Sequence, residues 1–427
     1  VVADGHAVRR MLADPGFRRL LFCRLASQWA DGLFQAGLAG AVLFNPERQA
    51  DPLAIAGGFA VILVPYSVVG PFAGALLDRW DRRRLLIVAN FLRVILVVLA
   101  AAADGFGLSN GPLYAAALLV MGTSRFIGAG LSAALPHVVE PRDLVTGNSM
   151  VATLASAAAA IGGATAFGLR NVLGAGNVGS AQVTAVAIVG ALVSALFAAQ
   201  FAAGVLGPDE VDEPSEAFVA VAKGMIDGGR AALRVPSVAA GFIALAAHRI
   251  AYGASLLVIV LLMKYTLHSH GMLRAGAGGL TEAVAAGAAG LVLAGFFTPG
   301  LVRRFGRPTV VSAGLVVAFI GLTAFGLPMT VPSLLAAAFV VTFCGQTVKL
   351  NVDAAIQRDV ADQSRGRVFA VSDTVFNAAM VVGVAVVATI VPTNGQSPGV
   401  VIGTAAVYLI GLLGYVLVLR AHPNSPR

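Results

Sequence analysis

Apolar residues run along this chain in long blocks, broken by short links that carry Gly, Pro, Asn or Asp. A helix needs about 20 mostly apolar residues to cross the hydrocarbon of a bilayer. Twelve blocks meet that length: residues 17–44, 53–77, 83–103, 112–134, 143–170, 179–203, 237–264, 276–302, 308–327, 332–356, 367–391 and 399–420. No water in a bilayer satisfies free backbone groups, so each block predicts a helix. The expected fold is an all-α membrane protein, with twelve transmembrane helices in two pseudo-symmetric six-helix bundles. The bundles are expected over 1–203 and 237–427, with 204–236 as a cytoplasmic link.

That link opens with the acidic run Asp209, Glu210, Asp212 and Glu213 between Pro208 and Pro214. Phe218, Val221, Met225 and Leu233 then recur near helical spacing, opposite Lys223, Asp227, Arg230 and Arg234. This pattern predicts an amphipathic helix on the membrane surface, with a loose linker as the alternative.

Composition sharpens the picture. The chain is 58% hydrophobic and 12% charged, with a mean hydropathy of +0.86, where a soluble domain carries about 25% charged residues. The 50 glycines let helices approach closely where lipid supplies no hydrophobic drive. The net charge of +8 reads as a topology signal and not as a nucleic-acid footprint. With both termini cytoplasmic, Arg9, Arg10, Arg18, Arg19, Arg84, Arg142, Arg365, Arg367 and Arg420 all fall inside, and only Arg48, Arg170, Lys264 and Arg274 fall outside. The first block is too long for a signal peptide and reads as an uncleaved span. Cys23 and Cys344 stand alone in apolar stretches, which predicts neither a disulfide nor a zinc site. His268 and His270 lack a third ligand, so no metal and no cofactor is expected.

The two halves echo each other. The stretch from Gly70 to Arg82 and the stretch from Gly295 to Arg307 superpose with a shift of 225, Trp80 on Phe305 and Arg82 on Arg307. Repeated bundles are a transporter design.

Gly74, Asp78, Arg79, Asp81, Arg82 and Arg83 form a pattern that resembles the signature loop of the major facilitator superfamily. Asp31-Gly32-Leu33-Phe34-Gln35, Leu135-Pro136-His137 through Asn148-Ser149, and Gln357-Arg358-Asp359 through Val368-Phe369 resemble its third drug:proton antiporter family, the macrolide-efflux and tetracycline-type exporters. The resemblance covers nearly the whole chain. It departs in span five, where Ile161-Gly162-Gly163-Ala164 lacks the Gly-Pro step, and in span four, where Arg125 is not followed by Gln-Gly. It implies a loop that gates the cytoplasmic side. Gly74, Asp78, Arg79, Asp81, Arg82 and Arg83 belong to the first copy, and Arg303, Arg304, Gly306 and Arg307 to the second. Asp78 is expected to meet the N-terminus of helix eleven, where the dipole favours an anion.

Charges inside spans are costly, so each is a functional candidate. Asp31 sits within span one, with Gln28 and Gln35 at helical-neighbour positions. Such a carboxylate either handles a proton or substrate, or forms a permanent ion pair. Arg125 in span four is its expected partner. Arg93 in span three is expected to lie near lipid or to snorkel. Lys349 falls near the place of Arg125 under a shift of 224, one turn from Asp353. That pair is either an anion site or a static brace. His248 and Arg249 lie within span seven, His248 as a titrating group or as packing. Glu282 and Asp373 lie nearer span ends.

These residues point to a secondary active transporter with alternating access, its cavity lined by helices one, four, seven and ten. The few charges suit an amphipathic or lipophilic small molecule. Export by proton antiport follows from the resemblance alone; siderophore or lysolipid transport in the same fold is the alternative. The expected partners are that substrate, protons and membrane lipid, for a monomer in a bacterial inner membrane. An enzyme or a sensor is the rival class. The sequence holds no metal-ligand helix, nucleophile elbow or Walker-type phosphate loop.

Overall fold

The computed structural model describes residues 5–43, 45, 51–77, 81–140, 143–207, 217–268 and 275–421, with backbone alone for 5–7, 43, 66–77, 145, 146, 149, 217–220, 277, 362 and 363. A short helix α1 (Gly5–Ala13) precedes α2 (Pro15–Leu43), α3 (Pro52–Leu77), α4 (Arg82–Gly105), α5 (Asn110–Ala134) and α6 (Leu144–Leu173). Helices α7 (Asn177–Ala185) and α8 (Ala187–Ala199) form one rod interrupted at Val186. The Val186 N–H is shared between the carbonyls of Gln182 and Val183, a local tightening of the helix. After α9 (Ala217–Arg234) come α10 (Pro236–Leu261), α11 (Gly276–Phe305), α12 (Arg307–Gly326), α13 (Val331–Asp359), α14 (Asp362–Ala388) and α15 (Pro398–Ala421).

The regular secondary structure among the described residues is therefore all helical, with twelve long rods that follow the twelve apolar blocks. Among the described residues, ten are long and apolar enough to cross a membrane. The others are α2, whose Gln28, Asp31 and Gln35 dilute its apolarity, and α3. Prolines at the first helical positions start α10, α12 and α13, where the missing N–H is no loss.

Two compact units emerge: residues 1–50 with 64–221, and residues 51–63 with 222–427. In unit 1, α2 packs on α6 and α8, and α4 on α5 and α8. In unit 2, α10 packs on α14 and α15, and α12 on α13 and α15. The two sets of neighbours correspond helix for helix.

Glycines fix these contacts. A Cβ on Gly32 would fall on the carbonyl of Ala159, and one on Gly162 on the carbonyl of Trp29. In unit 2, Gly253 faces the Met380 carbonyl and Gly383 the Ile250 carbonyl in the same way. Gly190 sits against Ala26, and Gly411 against Ala247. Every residue of these second-half contacts lies 221 positions beyond its first-half counterpart. The repeat seen in the sequence at the loop after span two thus extends to backbone contacts inside the bundles, with links absorbing the difference in offset. Gly162 and Gly163 have a place in the antiporter comparison; Gly162 is where α6 touches α2.

Candidate functional site

Unit 1 holds a cluster of charge built on α2. Asp31 and Arg93 form an ion pair at 2.8 Å, with side chains 7% and 0% exposed. Gln28 Nε2 donates to Asp31 Oδ2 at 3.1 Å. Arg93, near the middle of the 24-residue α4, also donates through Nη1 to Ser27 Oγ at 3.1 Å and through Nη2 to the Ser27 carbonyl at 3.4 Å. The sequence points to Arg125 as the partner of Asp31, and to lipid as the surroundings of Arg93. Both expectations need correction, because Arg93 is too deep to reach an interface and its guanidinium is held on α2. Arg125 stands off on α5, within electrostatic range of Asp31 and Arg24.

Arg24 is a residue that sequence reasoning passes over. Its Nη1 donates to Ser132 Oγ at 2.8 Å and to the Gly128 carbonyl at 3.4 Å, and it also feels the charge of Asp31. Three guanidiniums thus act on the Asp31 carboxylate, Arg93 by contact and Arg24 and Arg125 through their charge. Gln35 is partly buried four positions beyond Asp31, and Gln28 takes the carboxylate's second oxygen instead. The rule that flags in-span charges applies equally to Arg24 and Arg93.

Unit 2 has a different cluster at the corresponding place. The offset of 221 carries Gln28 onto Arg249 and Asp31 onto Tyr252, so packing is kept while chemistry diverges. The Arg249 guanidinium lies 3.8 Å from the centroid of the Phe376 ring and 5.1 Å from that of Tyr252. Its Nε donates to the Phe376 carbonyl at 3.0 Å, and Nη2 meets Met380 Sδ at 2.8 Å. Among the described residues, no carboxylate pairs with Arg249. Ring faces attract a desolvated cation but leave its formal charge uncompensated.

Lys349 lies close by. Its Nζ is 2.6 Å from Asp353 Oδ1 and 3.6 Å from Asp373 Oδ1, and 5.6 Å from the centroid of the Phe376 ring. Lys349 and Asp353 are 18% and 27% exposed, Asp373 65%. Asp373 therefore gains a part that its place near a span end does not predict. Tyr252 and Phe376 are further additions; an aromatic in an apolar block gives no signal of its own. His248 is buried, its ring 5.7 Å from Tyr408 and 6.1 Å from Tyr252. The absence of a side chain on Gly345 leaves room for the imidazole, which fits the packing reading of that histidine.

Beside this cluster lies an apolar pocket of roughly 280 Å³, reached at Tyr252 and walled by Leu256, Leu280, Leu291, Leu334 and Val341.

Of the loop residues, Gly74 lies on α3, and Asp78 and Arg79 fall outside the described residues. Asp81 caps α4, its Oδ1 accepting from Arg84 N at 2.8 Å and its Oδ2 from Gly204 N. Arg82 is buried and donates to the carbonyls of Ala133 and Leu206, both at 3.1 Å. Arg83 Nη2 donates to the Ala199 carbonyl at 3.2 Å. These three residues tie the start of α4 to the ends of α5 and α8 within unit 1. Arg303 and Arg304 are exposed at the end of α11. Gly306 turns the chain into α12 with φ 77°, a conformation that costs glycine little, and so places Arg307.

The chain matches MFS-type transporters of Mycobacterium tuberculosis (strain H37Rv) and Mycobacterium bovis. Each is 42% identical over 418 residues, covering 96% of this chain and 93% of the relative. No protein-family model matches it. Among solved structures, it resembles the POT family transporter PepTSo (TM-score 0.70, 10% identity, covering 96% of this chain and 99% of that one). It also resembles the nucleoside transporter NupG (TM-score 0.67, 11% identity, 94% and 98%). A bacterial homologue of the human lysosomal transporter Spinster, in an inward-facing and unoccupied conformation, matches with TM-score 0.65 at 13% identity, over 97% of this chain and 99% of that one. At such identities the likeness is one of fold. This chain belongs to the MFS-type transporters. It is a multi-pass secondary transporter of small molecules and not an enzyme.

Proposed function

We propose that the protein exports an amphipathic or lipophilic small molecule by proton antiport, with Asp31 as the coupling carboxylate. The observation that carries this reading is the buried Asp31–Arg93 pair, at 2.8 Å in the company of Arg24 and Arg125. A proton on Asp31 removes the only carboxylate paired with Arg93 among the described residues, and an unpaired buried guanidinium is strongly unfavourable. The protonated state is therefore driven to a different arrangement of α2 and α4, one that lets water or substrate reach Arg93. Proton binding and conformation are coupled through that cost. The protein works as a monomer in a bacterial plasma membrane, with both termini cytoplasmic and the loop residues around Asp81 and Arg307 acting as the gate. Transport of lipophilic cations and macrolides into everted vesicles tests it: uptake should follow an inside-acidic gradient and collapse with an uncoupler.

A second reading rests on Arg249. A cation held by Phe376 and Tyr252, with no carboxylate partner among the described residues, next to an apolar pocket, fits a substrate with an anionic head and an apolar body, such as a lysolipid or a siderophore. In this reading, movement need not be coupled to protons. Competition by anionic lysolipid against a labelled substrate, present in the wild type and absent in Arg249→Gln, distinguishes the two.

A further inference from the structure

A second cavity in unit 2 lies away from the Arg249–Lys349 cluster. It has a volume of roughly 970 Å³ and opens where α10 begins, α11 turns into α12, and α13 and α15 end. Four helices bring polar groups to it: Ser237 from α10, Arg307 from α12, Arg358 and Asp359 from α13, and Arg420 from α15.

The charges do not cancel. Asp359 is nearly buried, 3% exposed, and both its oxygens are engaged. Arg358 Nε donates to Oδ1 at 2.5 Å, Arg358 Nη2 to Oδ2 at 3.1 Å, and Ser237 Oγ to Oδ2 at 2.6 Å. One carboxylate is thus spent on one arginine and a serine, which leaves Arg307 and Arg420 in positive excess. Arg307 feels both Asp359 and Arg358. Yet its Nη1 is withdrawn from solvent with no hydrogen-bond partner among the described residues. A buried donor left unmade is costly, and here it lies on a cavity wall. Phe305, Tyr415 and Leu419 supply apolar surface beside the arginines.

We propose that this cavity binds a phosphoryl anion, either the head group of an anionic lipid or free phosphate, on Arg307 and Arg420. Guanidinium matches phosphate oxygens in charge and fork geometry. The apolar wall gives a lipid's acyl chain a path that free phosphate does not use. The inference is independent of the coupling role of Asp31, because no residue of the α2 cluster lines the cavity.

The test uses the purified full chain in a neutral detergent, with dioctanoyl phosphatidylglycerol, inorganic phosphate and dioctanoyl phosphatidylcholine as probes and thermal unfolding as the readout. The wild type should be stabilised saturably by phosphatidylglycerol and far less by phosphatidylcholine. Arg307→Gln and Arg420→Gln should each weaken that response about tenfold, the loss of one charge-assisted contact, while Arg307→Lys retains part of it. Stabilisation by phosphatidylglycerol alone identifies a lipid site. Equal stabilisation by inorganic phosphate identifies a free-anion site. If Arg307→Gln does not fold, the exposed Arg420 carries the same test. A wild type that responds to neither anion, or an Arg420→Gln variant that responds as the wild type does, overturns the proposal.

Discussion

Arg93 on α4 and Asp31 on α2 meet at 2.8 Å, with the arginine fully buried. The pair joins two helices of one unit, 62 residues apart in the chain, and its energetics differ from those of an ordinary ion pair. Taking both charges out of water costs so much that the pair adds little net stability, whereas removing one member strands the other. Asp31→Asn or Arg93→Gln alone is expected to destabilise the protein by about 3–5 kcal/mol. Asp31→Asn with Arg93→Gln should recover most of that loss. Thermal unfolding in detergent, run as a double-mutant cycle, reads the result. Two single losses that simply add would mean the charges do not see each other.

Lys349 and Asp353 provide a contrast. They are closer, at 2.6 Å, yet partly open to solvent. Pairs of this kind contribute about 0–1 kcal/mol. Asp353→Asn is therefore expected to leave the unfolding temperature nearly unchanged. If the cations of unit 2 read an anionic head group, the same substitution should tighten binding of an anionic substrate, because Lys349 loses a competitor. Equilibrium binding of labelled lysolipid checks this.

Gly162 and Gly383 are expected to resist substitution in parallel. A methyl group at either lands on a backbone carbonyl of the neighbouring helix, and overpacking costs about 1–3 kcal/mol, more than alanine's gain in helix propensity of at most about 1 kcal/mol. Gly128→Ala has open space around it and should be neutral or mildly stabilising. Unfolding of the three variants side by side tests whether the packing repeat holds in both units.

Asp81 bonds to the α4 N-terminus and to Gly204. Asp81→Ala should cost about 1 kcal/mol and speed amide hydrogen exchange around residues 199–207. Exchange unchanged there would remove Asp81 from that tie and leave only a gating role for it.

Much of the fold is legible in the sequence because it rests on block length and on small residues. Apolar runs long enough to cross a bilayer fix the helices, and the packing glycines Gly32, Gly162 and Gly190 recur in the second half as Gly253, Gly383 and Gly411. The site is legible in part. Asp31, Arg125, Arg249 and Lys349 stand out as charges in apolar blocks, but a sequence does not say how each helix is rotated about its own axis. That rotation decides that Asp31 meets Arg93 and not Arg125. Arg93 reads as lipid-facing because its neighbours in α4 are apolar except for Asn90, and only packing shows that it faces α2. Phe376 and Tyr252 are hidden for a related reason: an aromatic among many apolar residues becomes notable only when a cation lies over it. Asp359 reads as a link residue at the end of a span, and its burial comes from Ser237 and Arg358 closing around it.

The most direct test of proton coupling through Asp31 is transport in sealed proteoliposomes under an imposed pH gradient, comparing wild type with Asp31→Asn. Coupling through Asp31 requires gradient-driven accumulation of a lipophilic substrate by the wild type. Asp31→Asn should lose that accumulation while still exchanging substrate down its own gradient. Gradient-driven accumulation that survives in Asp31→Asn would contradict it, and would move the coupling site away from α2.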